Sequence, residues 1–114
     1  MPTADKRAHE RYEVELDVDL VRGETNVGAR TINLSRGGML LRAPTDPPLA
    51  VGQRVRLTFR VPDLEAPIGC DADVRWRNRV DATEVGVQFT SGLRAKEVWA
   101  LGRLLERLRN ADAD

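Results

Sequence analysis

Cysteine is almost missing from this chain, with Cys70 the only one. No internal disulfide can form, and nothing in the cysteine usage points to an oxidising compartment. Histidine is as scarce. His9 stands alone, so a histidine triad or a multi-histidine metal site has no second imidazole to draw on. Only five aromatic residues exist, Tyr12, Phe59, Trp76, Phe89 and Trp99. Three of them (Phe59, Trp76, Phe89) fall on apolar strand phases, so a base-stacking platform for DNA or RNA is poorly supplied. Net charge is absent too, 18 basic residues balancing 18 acidic ones, which argues against a surface that grips a polyanion over its whole extent. No stretch approaches the roughly 18 apolar residues of a membrane helix, and "MPTADKRAHERYE" has no apolar core of a leader. The expectation is a cytoplasmic protein with no membrane insertion. Neither GxxxxGK[ST] nor GxGxxG occurs between a strand and a helix, which removes the usual anchors of nucleotide hydrolysis and dinucleotide binding.

What is present is alternation. Val14, Leu16, Val18 and Leu20 are interleaved with Glu13, Glu15, Asp17 and Asp19, the period of two of a strand with one wet face, predicted over 13–21. The same period runs through Val55 to Val61, Ile68 to Trp76 and Val85 to Phe89, with two further candidates at Val27–Leu34 and Gly38–Ala43. Breakers separate them: Gly23, "PTDPP", "VPDLEAP" and "RNRVDAT". Strands that follow strands without helices make an antiparallel sheet, and six strands with one apolar face each bury that face by closing into a small barrel. After Phe89 the period changes. Val98, Leu101, Leu104, Leu105 and Leu108 have helical spacing, predicting a helix over 93–109 with Ser91 as its N-cap. Its apolar stripe covers either the barrel or a second copy of the chain, which leaves a homodimer open. The expected organisation is one domain over 1–114: an arm over 1–12, a barrel over 13–90, the helix, and a tail over 110–114.

Catalytic groups are thin. Cys70 lies on an apolar phase and reads as a packed, inert thiol, while Glu13, Glu15, Asp17 and Asp19 share one wet face. No catalytic residue and no metal ligand is assigned, and no enzyme activity is expected. The basic residues are 16 arginines and two lysines, and arginine is the side chain that stacks on flat rings and forks onto phosphate or guanine edges. "RAHER" sets Arg7 and Arg11 four residues apart on one side of the chain, about 13 Å between Cα atoms if extended. The same spacing at Arg56/Arg60, Arg75/Arg79 and Arg103/Arg107 reads as solvated surface. "NLSRGG", Asn33 to Gly38, reads by itself as a hairpin turn in which Asn33 and Ser35 bond nearby backbone and Gly37 or Gly38 takes a positive φ.

The combination is more specific than its parts. Arg7-x-x-x-Arg11 before the first strand, followed 22 residues after Arg11 by Asn33-x-Ser35-x-x-Gly38 at a strand-to-strand turn, resembles the PilZ family of bacterial cyclic di-GMP receptors. "VGVQF" also looks like that family's last core strand. The resemblance covers roughly Lys6 to Phe89. It implies a cyclic di-GMP site at Arg7, Arg11, Asn33, Ser35 and Gly38, with Lys6, Arg36 and Gly37 as secondary candidates, no other cofactor, and an adaptor that signals to a protein partner when ligand draws the arm onto the barrel. A PilZ-like interaction domain acting without nucleotide, in motility or pilus assembly, is the alternative. Arg75 is expected to play no part in ligand binding.

Overall fold

The computed structural model describes residues 11–112; Lys6, Arg7 and His9 lie outside them. Seven strands and one helix follow one another: β1 (Tyr12–Glu13), β2 (Asp17–Arg22), β3 (Thr25–Leu34), β4 (Gly38–Arg42), β5 (Arg54–Phe59), β6 (Ile68–Arg77), β7 (Glu84–Ser91) and α1 (Ala95–Asp112). All pairings are antiparallel. Their order is β3-β2-β5-β6-β7-β4, and β4 pairs back onto β3 to close a six-stranded barrel. The predicted six-stranded antiparallel β-barrel with a C-terminal helix is therefore the observed fold, with β1 as one further strand outside the ring, paired to β3.

The predicted single strand over 13–21 is interrupted, and the cause is one hydroxyl. Thr31, a buried residue of β3, donates from Oγ1 to the Val14 carbonyl and accepts the Leu16 amide at 2.7 Å. These two backbone groups consequently bond a side chain instead of a strand ladder, and β1 ends before β2 begins. On either side of the break the alternation holds, with Val18 and Leu20 buried and Asp17 and Asp19 exposed.

The barrel is filled by the inward phases of every strand. Leu20, Leu34, Leu41, Leu57, Ile68, Cys70, Ala72 and Val74 are wholly inaccessible, and Phe59 stacks on Phe89 with ring centroids 6.2 Å apart. Burial pushes the Cys70 thiol up to about 11, so at neutral pH it is protonated and unreactive, as its phase predicts. Helix α1 presses Ala100, Leu101, Leu104 and Leu105 into the same core. Val98, placed by spacing in the apolar stripe, is instead 51% exposed beside exposed Trp99; Ala100 takes the buried position. Nor is Ser91 the N-cap. It ends β7 and donates to Asp71 at 3.1 Å. The cap is Arg94, whose carbonyl accepts the Glu97 and Val98 amides while its own amide donates to Glu97 Oε1 at 2.8 Å, the reciprocal arrangement of a capping box with a backbone carbonyl in place of the usual side chain. Arg107 and Arg103 tie the helix to Asp63 in the loop after β5, at 2.6 and 3.5 Å. Among the described residues no helix is long and apolar enough to cross a membrane.

Candidate functional site

The turn that joins β3 to β4 is held from within. Ser35 Oγ accepts the amides of Gly37 and Gly38, each at 3.2 Å, and donates to the Gly38 carbonyl at 3.3 Å. The Ser35 amide closes the ring onto the same carbonyl at 2.9 Å. One donor and two acceptor sites are all a serine hydroxyl has, so Ser35 is first of all the organiser of the turn. The residue is 5% exposed.

Neither turn glycine uses left-handed backbone. The positive-φ glycines of the described chain are Gly23, Gly52 and Gly92. Gly38 answers a different need: a Cβ built on it would stand 2.0 Å from the Val87 carbonyl oxygen. Its bare Cα therefore faces the backbone of β7, where Gly38 pairs with Gln88. The Gly37 carbonyl accepts the Phe89 amide at 2.8 Å and fastens the turn to the same strand.

Asn33 reaches the surface through a defect in the ladder. Along β3, Ala29 and Thr31 point inward, and simple alternation would send Asn33 after them. The β3–β4 register slips between Thr31 and Asn33, inserting Ile32 as the extra residue of a β-bulge, so Leu34 takes the inward phase and Asn33 turns out. There Arg11 Nη1 approaches Asn33 Oδ1 at 3.4 Å. A second bulge does the same on β6. Val74 opposes Val87 and Trp76 opposes Gly86, leaving Arg75 as the extra residue. Trp76, in phase with buried Ile68, Cys70, Ala72 and Val74, is thereby expelled from the core and is 47% exposed. Its side chain lies against Gly86, whose missing Cβ would sit 3.5 Å from Trp76 Cβ and 3.8 Å from its ring.

These displaced residues face one another across a cleft of about 570 Å³ on the outer wall of the barrel. Arg11, Asn33, Ser35, Gly37 and Gly38 form one side; Leu40, Gly86 and Trp76 form an apolar floor; Arg75 on β6 forms the far side, with Gln88 of β7 between it and Gly38. Arg75 Nε donates to Gln88 Oε1 at 2.9 Å. Two guanidinium groups and no carboxylate line the cleft, among the described residues. Such a volume lies within the usual range for small-molecule sites, and its chemistry suits a planar anion: an aromatic floor for a ring, forked cations for phosphate or base edges.

Of the residues singled out by sequence, Arg11, Asn33, Ser35, Gly37 and Gly38 come together here. Arg7 and Lys6 lie outside the described residues. Arg36 is not part of the lining; its Nη2 lies over the helix, 3.8 Å from where a Cβ on Gly102 would stand. Sequence reasoning missed Leu40, Arg75, Trp76, Gly86 and Gln88. Trp76 is misplaced because alternation carries no sign of a bulge, yet Gly86 is legible as a glycine inside a strand, a mark of close approach by another group.

A closed barrel of six antiparallel strands, covered by one helix and bearing a cationic cleft on its outer wall, defines the architecture as a small β-barrel domain. Among such domains the PilZ domain model matches residues 5–107, and the chain belongs to that family. No curated protein sequence matches it. Solved structures share the fold, and two of them illustrate it. The Bacillus subtilis inhibitor of motility, MotI/DgrA, superposes with a TM-score of 0.73 at 21% identity, covering 96% of this chain and 57% of that one. This chain thus spans little more than half the length of that neighbour. The PilZ domain of CeSA from a cellulose-synthesizing bacterium superposes with a TM-score of 0.65 at 16% identity, covering 88% of this chain and 98% of that one.

Proposed function

We propose that this protein is a cyclic di-GMP receptor that acts as an adaptor, taking the nucleotide into the cleft between the β3–β4 turn and the outer wall of β6 and β7. One observation carries the reading: Arg11 and the turn from Asn33 to Gly38, 22 residues apart, border the same cleft, with Arg11 Nη1 3.4 Å from Asn33 Oδ1. The ligand is a ring of two guanosines and two phosphates. Arg11 and Arg7 fork onto phosphate oxygens or guanine O6 and N7, while the turn, already closed by Ser35, offers fixed backbone at no ordering cost. A change in the segment around Arg11 then alters the surface that a protein partner reads. Family membership supports this reading, as does the likeness to a structure named as an inhibitor of motility. A cytoplasmic setting belongs to the same proposal.

Titration calorimetry tests it directly. Cyclic di-GMP is expected to bind the unmodified protein, and Arg7→Ala, Arg11→Ala or Asn33→Ala is expected to weaken binding at least tenfold. Arg22→Ala serves as control, because that guanidinium donates to the Pro47 carbonyl at 2.7 Å and takes no part in the cleft. Absence of binding, or equal losses in all four variants, overturns the assignment.

A further inference from the structure

Two arginine contacts leave an energetic gap that the far side of the cleft is built to fill. A forked arginine–guanine pair contributes about tenfold to a hundredfold in discrimination, whereas micromolar affinity spans six decades from the molar standard state. We propose that Arg75, presented by the bulge in β6 and braced by Gln88, is a third guanidinium of the site, which reads the edge of a purine lying on Trp76. The inference rests on the cyclic di-GMP reading and adds to it a specificity-determining residue.

Three features place Arg75 in that role. The bulge sets Arg75 beside Trp76 on the outer wall, where unbroken alternation would turn Trp76 into the core. Its Nε is engaged by Gln88 Oε1 at 2.9 Å, which orients the guanidinium plane and leaves the Nη edge for a ligand; an arginine with its plane fixed forms a fork with less loss of rotamer freedom. Beneath, the indole of Trp76 lies against Gly86, with Leu40 on the other side of that glycine's bare Cα, a flat apolar surface half open to solvent. A base stacked on that ring brings its Hoogsteen edge toward the neighbouring side chain. Guanine presents two acceptors there, O6 and N7, matching a guanidinium fork; adenine presents a donor at N6, which opposes one.

The discriminating measurement is a pair of affinities, for cyclic di-GMP and for cyclic di-AMP, on the unmodified chain and on Arg75→Ala, Arg75→Lys, Gln88→Ala, Trp76→Phe and Trp76→Ala. Arg75→Ala is expected to lose about tenfold or more for cyclic di-GMP and to narrow the preference over cyclic di-AMP. Lysine, which keeps the charge without the fork, is expected not to restore that preference. Gln88→Ala shares part of the loss, and Trp76→Phe, which keeps an aromatic face, loses less than Trp76→Ala. In a Trp99→Phe background, where Trp76 is the sole indole, cyclic di-GMP is expected to quench or shift its emission. If the unmodified chain binds cyclic di-GMP and Arg11→Ala weakens it while Arg75→Ala leaves both affinities intact, the role of Arg75 is overturned and the receptor reading stands. No binding by the unmodified chain overturns both.

Discussion

Replacing Gly38 by alanine adds one methyl group, and its consequences can be worked out from a single distance. The new Cβ would stand 2.0 Å from the Val87 carbonyl oxygen and 3.0 Å from its carbon, where real Cβ contacts essentially never fall below 3.0 Å. β4 and β7 must therefore part by about 1 Å at that point. The Phe89 amide to Gly37 carbonyl bond, now 2.8 Å, lies beside the displacement and would stretch beyond hydrogen-bonding distance. Overpacking contributes about 1–3 kcal/mol and the loosened backbone bond about 1 kcal/mol more, giving a destabilisation of about 2–4 kcal/mol. At about 4 °C per kcal/mol for a chain of this length, the melting midpoint falls by roughly 8–16 °C. Thermal and urea unfolding, followed by circular dichroism, read this without any ligand. A variant within about 0.5 kcal/mol of the parent would refute the reasoning, because the strand would then have yielded where the packing says it cannot. The expectation also bears on binding experiments: a loss of ligand in Gly38→Ala reports a displaced turn, whereas Asn33→Ala, on a surface side chain, reports a contact.

Other polar groups lead to two more expected outcomes. Thr31→Val keeps the shape of a buried side chain but strands the Leu16 amide and the Val14 carbonyl that its hydroxyl now serves; a loss of about 2–4 kcal/mol in urea denaturation is expected, and a change below about 0.5 kcal/mol would count against the bridge. Acid should loosen the fold through Asp63, Asp73 and Asp81, whose carboxyls are held below their usual range by hydrogen bonds from Arg107, Arg54 and Thr83 respectively. Each is depressed in the folded state, so its contribution is present above the unfolded value of about 3.9 and is lost as pH falls through the lower folded value. The urea midpoint should drop as pH falls below about 4, less steeply in Asp73→Asn; a flat profile there would contradict these pairings.

The barrel was legible because its inner wall obeys one rule. Val18 and Leu20, Val55 to Phe59, Ile68 to Val74 and the pair Val85 and Val87 all point where period two sends them, and Leu101, Leu104 and Leu105 lie where the helical period puts them. The rule failed wherever a single residue was interposed. A hydroxyl on Thr31 divides β1 from β2, and the bulges at Ile32 and Arg75 reverse the phase of the strand residues beyond them. Both are settled by the partner strand's register, which no local pattern within β3 or β6 contains. The motif residues of the turn were readable as a type and spacing, while their division of labour was not: Ser35 organises the turn, Gly38 contacts β7, and among the described motif residues Asn33 and Arg11 present their side chains at the cleft. The far wall went unread for the same reason as the bulge that builds it.

The extra residue in β6 makes the cleft a matter of reading frame. Val74 and Trp76 are two positions apart, yet one belongs to the interior and the other to the exterior, and no substitution at either can exchange their sides. Removing Arg75 would set Trp76 directly after Val74, where plain alternation keeps the indole on the outer wall and only the extra guanidinium is lost. The outer wall can thus be rewritten residue by residue, its ligand preferences with it, while the core is spared.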